Sequence, residues 1–185
     1  MTFRLLKNKA VIIIHYAPFP KRIFAFLLDY LIIMLYGILI LGTIAYVFAP
    51  VISPLFSNSP FIAQLTGFLL ITLPVSLYFI LMEQSSWQGT WGKKKMGIRT
   101  VTEDGHRLKL RQSTIRTVGK FLPWEVAHFA IWHLILPSSI PEFILIIILI
   151  AIHVVIILYL VLPFTNKQRK NLYDWLAGTT VIVSK

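Results

Sequence analysis

Two carboxylates, Asp29 and Glu125, stand in stretches of chain that are otherwise almost wholly apolar. A carboxylate in such surroundings costs free energy that pairing, protonation or ion binding must offset, so each is a candidate site of proton or cation exchange. Arg22 lies seven residues before Asp29, about 10 Å along a helix, and the two share a helical face to within about 20°. Asp29 could therefore bind an ion or proton with Arg22 tuning it. It could equally pair with Arg22, or with a cation from a polar segment, and fix helix packing. Glu125 and His128, three apart, share a face, and His153 lies at the centre of another apolar run. Together these three could extend a proton route. Glu125 also has a plainer role, since Pro123 starts a helix well and an acid two residues later complements its dipole. Asp174, beyond the last apolar run, is a candidate for the ion path. Its simpler role is to cap a short helix or bond the Gly89–Gly97 loop.

Other chemistries find no residues. The chain has no cysteine, which excludes disulfides, thiolate chemistry and cysteine metal sites. His128 and His133 fall about 140° apart on a helix and cannot share a ligand. There is no Ser-His-Asp or paired-carboxylate arrangement, so we expect no enzyme activity, no metal and no cofactor.

The elements that hold these residues follow from the charge map. All 18 basic residues fall within residues 4–22, 93–120 and 167–185. Lysine and arginine in hydrocarbon cost about 2.5–3.5 kcal/mol each, which explains the segregation and implies an integral membrane protein. A mean hydropathy of +0.76 agrees. The net charge of +11 would suit nucleic acid, but these cations flank apolar segments, where positive-inside orientation and anionic lipid headgroups account for them. Nucleic acid is not an expected partner. Val11–Ile14 is too short for the core of a signal peptide, so the first long helix is expected to act as an uncleaved anchor.

Spans are expected at about 23–49, 61–82 and 142–164, the second kinked by Pro74 and the last opened by a capping box at Ser139–Glu142 and closed by Pro163. The uncharged Val51–Pro60 reads as a turn. Phe121–Leu136 has 16 residues and three ionisable groups, so orientation decides it. Three cationic blocks on one side require an even number of crossings between Lys120 and Lys167. A third span at about 117–136 follows, borrowing a turn from Ile115–Lys120 while Arg116 and Lys120 snorkel. The fold class is thus an all-α polytopic membrane protein of four transmembrane helices, a single domain over 1–185.

Residues 83–116 and 165–185 form the expected cytoplasmic module. Ile98–Thr102 and Arg107–Leu110 alternate around Asp104-Gly105, a hairpin signal, with Thr179–Val183 as a candidate third strand. Arg111–Lys120 is amphipathic, with Gln112, Arg116 and Lys120 on one face, and reads as a helix lying in the interface. Trp87 and Trp91 fit an aromatic belt.

Three stretches resemble the RDD family of small bacterial membrane proteins. Arg22 heads the first span with Asp29 seven residues on, similar to the family's opening. Gly89-Thr90-Trp91-Gly92-Lys93, then Gly97-Ile98-Arg99-Thr100-Val101 and Asp104-Gly105, resemble its Gly-Thr-x-Gly-Lys…Gly-x-x-x-Val loop. Tyr173-Asp174-Trp175-Leu176-Ala177-Gly178-Thr179-Thr180-Val181 resembles its closing His-Asp-x-x-Ala-Gly-Thr-x-Val, with tyrosine where histidine is usual. The resemblance runs from about Tyr16 to the C-terminus and implies a membrane protein for which ion transport has been proposed, without established enzyme activity. Gly89, Gly92, Gly97 and Gly178 are expected at tight turns or close contacts; their spacing beside Lys93 matches no phosphate-loop motif.

Two readings remain open. In one, the chain transports small cations or protons through a homo-oligomer. In the other, its spans anchor a cytoplasmic module for a partner protein. Both place it in the bacterial cell membrane with both termini in the cytoplasm. Reporter fusions at Ser53–Ser59 and after Lys167 should report opposite compartments; the same compartment for both would overturn the topology.

Overall fold

The computed structural model describes the backbone of residues 2–7 and 10–184 and the side chains from His15 to Ser184; Met1, Asn8, Lys9 and Lys185 lie outside it. The elements run β1 (Thr2–Lys7), β2 (Ala10–His15), α1 (Phe19–Tyr36), a π-helical turn (Gly37–Leu41), α2 (Gly42–Val47), α3 (Ala49–Ser57) and α4 (Pro60–Gly67). A second π turn (Phe68–Thr72) follows, then α5 (Leu73–Gln84), α6 (Trp91–Lys95), β3 (Ile98–Thr102), α7 (Leu110–Ile135), α8 (Glu142–Thr165), α9 (Leu172–Ala177) and β4 (Thr179–Val183). These divide into two compact units. The first comprises residues 1–31, 77–120 and 159–185, and the second 32–76 and 121–158.

Three continuous helical stretches are long and apolar enough to cross a bilayer: Phe19–Val47, Pro60–Gln84 and Glu142–Thr165. Their apolar side chains face outward, as with Ile147, Ile150 and Ile157 of α8. That is the reverse of a water-soluble helix and suits a hydrocarbon surround. α7 has the length, 26 residues, but carries Arg111, Arg116, Lys120 and Glu125. Composition alone does not make it a span. Val51–Pro60 is not the expected turn, because α3 occupies most of it; Pro50 sits in its first turn, where its missing N–H costs nothing.

Three prolines lie inside these long helices, and each withholds an N–H from the carbonyl four residues before it. In hydrocarbon such a carbonyl must find another donor. Pro74 frees the Leu70 carbonyl, to which the Tyr36 hydroxyl donates at 2.7 Å. The helix also takes a π turn, Phe68–Thr72, just before Pro74. Pro123 frees the Gly119 carbonyl, and the Tyr159 hydroxyl donates to it. Pro163 frees the Tyr159 carbonyl, and the Asn171 amide donates to it at 2.8 Å. Pro123 therefore does not start a helix, and Pro163 does not end one: both sit within continuous helices. At the start of α8, Ser139 forms no capping box. The Ser138 hydroxyl accepts from the Ile140 N–H instead, at 3.1 Å.

In the first unit β3 pairs antiparallel with β4, from Ile98↔Val183 to Thr102↔Thr179, and not with Arg107–Leu110. Gly105 (φ 80°) closes the turn after β3 by donating to Thr102. Arg107 then turns away to donate to the Gln84 carbonyl, and Leu110 opens α7. The uniformly β-branched β4 replaces the expected return strand. The sheet has two strands; a single bridge, Tyr16↔Ile182, lays the segment after β2 along β4. β1 and β2 pair with each other. A small core of Ala17, Ala25, Ile98 and Val181 packs α1 on this sheet.

Replacing Tyr36 by Phe should strip the Leu70 carbonyl of its donor and cost about 1–3 kcal/mol. Adding Pro74→Ala should recover most of that loss, because Ala restores the missing N–H. Thermal denaturation in detergent checks both; a Tyr36→Phe loss that Pro74→Ala leaves untouched would refute the pairing.

Candidate functional site

Asp29 sits on the α1 face that also carries Ala25, and both are almost fully buried. Its carboxylate does not meet Arg22. Oδ1 accepts from the Tyr78 hydroxyl at 3.0 Å and from the Gly92 N–H at 2.9 Å, while Oδ2 accepts from the Thr90 hydroxyl. Tyr78 in turn accepts from the Trp91 N–H at 3.0 Å. Asp29 thus receives one open backbone donor at the start of α6 directly, and Tyr78 and Thr90, which donate to it, take up the next two, a use of a carboxylate that needs no cation. Gly92 is required by the approach itself: a Cβ there would lie 2.1 Å from the Ala25 carbonyl oxygen. Thr90 caps the same helix through the Lys93 N–H.

Arg22 goes elsewhere. Its guanidinium donates to the Val181 carbonyl at 3.2 Å and lies 3.6 Å from Asp174. Asp174 also forms an ion pair with Arg116 at 2.8 Å, and caps α9 reciprocally with Asn171, whose N–H it accepts at 3.0 Å. Arg116 reaches on to Glu83 at 3.3 Å, and Glu83 accepts from Lys93 at 2.5 Å with Lys120 at 3.9 Å. The Lys93 ammonium also donates to Thr100 of β3 at 2.8 Å. One chain of ion pairs thus joins α1, α5, α6, α7 and α9. Four basic side chains face two carboxylates, and burial lowers the Lys120 pKa to about 7, so the charge excess is less than two at neutral pH. Burial lowers the proton affinity of Lys93, and Glu83 works against that loss. Tyr173, where the related pattern has histidine, packs under the Arg116 guanidinium at 4.9 Å. Burial, then the Asp174 charge, pushes its phenol up to about 12, so this position does not titrate near neutral pH.

Within Arg111–Lys120, Ser113, Arg116 and Thr117 are buried while Val118 is exposed, so Arg116 turns onto its carboxylate partners and does not snorkel. Asp174 bonds Arg116 and Arg22 and not the Gly89–Gly97 loop. Gly97 (φ 63°) turns the chain into β3, and Gly178 (φ 61°) ends α9 in the left-handed region that favours glycine. A Cβ on Gly89 would press on Lys93 at 3.1 Å.

The second unit holds a separate polar cluster. Glu125 accepts from the Gln64 amide at 2.6 Å and from the Thr72 hydroxyl, with His128 at 3.9 Å. No lysine or arginine pairs with it among the described residues. The Gln64 carbonyl oxygen is buried there without a partner. His153 is exposed on α8, its ring nitrogen bonded to the Leu149 carbonyl at 2.7 Å, and is not part of this cluster. His133 bonds the Phe129 carbonyl in the same way. No metal-binding group of three ligand side chains occurs among the described residues.

Residues 16–178 match the family model described as RDD family. The chain belongs to the RDD family. No curated protein and no solved structure matches it. In this RDD protein the motif residues Arg22, Asp29, Thr90, Gly92, Lys93 and Asp174 all lie in the first unit, within one connected set of hydrogen bonds and ion pairs. Sequence reasoning passed over Glu83, Tyr78 and the inward role of Arg116. The i, i+4 spacing of Gln112, Arg116 and Lys120 was the available signal, but it does not name Glu83 and Asp174 as the partners. Gln64 and Thr72 had no signal beyond being polar in an apolar span.

Asp29→Asn should place an amide N–H against groups that already donate, costing about 2–4 kcal/mol and lowering folded yield. Gly92→Ala should do at least as much harm through its clash with α1. Chemical denaturation and size-exclusion recovery read both; an Asp29→Asn protein as stable as the parent would contradict this role.

Proposed function

We propose that this RDD protein is a four-span bacterial cell-membrane protein that exchanges protons or small monovalent cations at Glu125. The observation that carries the reading is a carboxylate held by two neutral donors beside a buried, unpartnered Gln64 carbonyl oxygen. In an apolar unit that carboxylate needs a proton or a cation to offset its charge, and the orphan oxygen offers a further ligand to either a cation or its water. His128, at 3.9 Å, is placed to relay a proton. Asp29 is a weaker candidate for the moving ion, because three internal donors already hold it. α7 supplies the fourth crossing: beyond Lys120 it runs about 22 Å to Ile135, a short span, and crossing there keeps the cationic blocks on either side of it in the cytoplasm with the termini. The bundle is thin, so conduction requires a homo-oligomer. We assign the chain no enzymatic step.

The anchoring alternative draws support from the motif residues, all of which are engaged in fixing the cytoplasmic module. That is what a scaffold for a partner protein would need.

Proteoliposomes containing the purified chain should show cation flux that depends on a pH gradient. Glu125→Gln should abolish it, a loss of tenfold or more, while leaving the folded yield intact, because the Gln64 amide can turn its unpartnered oxygen to accept from the new N–H. Full flux in Glu125→Gln rejects the site. No flux from the parent under any gradient, with a specific partner recovered by crosslinking, favours the scaffold.

A further inference from the structure

At the cationic ends of the first and last spans a groove of about 490 Å³ opens between the start of α1 and the end of α8. Its wall is apolar: Phe19 and Phe164 meet with ring centroids 4.1 Å apart, and Pro163 lies beside them. Its rim is the loop after α8, which contributes Lys167 and Arg169. That loop is built, not merely left over. The Asn166 side chain accepts from the Lys170 N–H at 2.7 Å and donates back to the Lys170 carbonyl at 2.8 Å. Arg169 is held at φ 53°, in the left-handed region, by its N–H bond to the Asn166 carbonyl at 3.0 Å.

The three cations of this loop are used differently. Lys170 is almost fully buried and pairs with Glu103. Lys167 and Arg169 have no carboxylate within salt-bridge distance among the described residues. A structured turn thus presents two unneutralised cations above an aromatic, proline-lined wall, at the level where a span leaves the bilayer. A phosphate group answers the rim, and glycerol and the upper acyl chain answer the wall.

We propose that this groove is a binding site for one anionic phospholipid, its phosphate held by Lys167 and Arg169 and its glycerol–acyl region against Phe19 and Phe164. The site lies in the first unit and is independent of ion exchange at Glu125. A free phosphate ion would use the rim and gain nothing from the wall, so the lipid is the occupant the groove fits. The volume falls in the range of small-molecule sites.

Native mass spectrometry of the full-length protein in detergent, titrated with phosphatidylglycerol or phosphatidylcholine, tests it. Phosphatidylglycerol should bind preferentially and with saturation. Lys167→Gln and Arg169→Gln should each weaken it about fivefold, and together about 30-fold, at roughly one charge contact each. The charge-matched Lys109→Gln/Arg111→Gln variant should bind like the parent, and millimolar inorganic phosphate should not displace the lipid. Equal binding of the two lipids overturns the proposal. So does an equal loss in both double variants, and displacement by phosphate would assign the rim to a free anion instead. Either single variant suffices if the double variant does not fold.

Discussion

The Arg116 guanidinium, placed between Glu83 and Asp174, is the interaction on which the first unit of this protein depends. Both carboxylates are fully buried, and Arg116 nearly so. A buried charge left without its partner costs several kcal/mol, so none of these groups can be removed cheaply. Each also belongs to a different element. Glu83 ends the second span, Arg116 rides on α7 and Asp174 caps α9, while Lys93 and Arg22 extend the chain to α6 and α1. A polar module with a two-stranded sheet has little apolar surface of its own to bury, and its small core of Ala17, Ala25, Ile98 and Val181 is correspondingly modest. Ion pairing, with Asp29 receiving the open end of α6, supplies the fixation that a large hydrophobic core would otherwise give.

The same accounting governs the apolar helices. Each internal proline opens a gap in the hydrogen-bond ladder, and each freed carbonyl is met by a side chain from another element: Tyr36, Tyr159 or Asn171. Tyr159 serves twice, since its hydroxyl closes the gap left by Pro123 while its own carbonyl is the one left open by Pro163. Prolines thereby act as docking points between elements. Gly119, whose carbonyl is one of the three, also lets Tyr173 approach closely.

Much of the membrane architecture was legible because lipid imposes a simple rule on lysine and arginine. Three spans follow from that rule, and so does the family, through motifs whose residues are spaced by fixed local geometry. The sheet partner was misread because alternation at Arg107–Leu110 specifies a strand only if the chain stays in the sheet, and the turn at Gly105 sends it away. The partners of α7 were hidden because amphipathicity fixes two faces without saying what either one meets. In this protein Arg116 meets Glu83 and Asp174. Pairing of Arg22 with Asp29 was suggested by a shared helical face, yet both side chains found partners from distant segments, and no local spacing reveals those. Glu125 was visible as an acid among apolar residues; its neighbours Gln64 and Thr72 were visible only in three dimensions.

Amide hydrogen exchange of the Glu83→Gln protein, compared with the parent in the same detergent, tests the claim of a single coupled network most directly. Protection should fall by tenfold or more at Trp91–Thr102, and by a similar factor at Leu172–Val183, which Glu83 does not touch. Loss confined to Trp91–Thr102, with α9 and β4 protected as before, would show that the ion pairs act separately and would contradict the account.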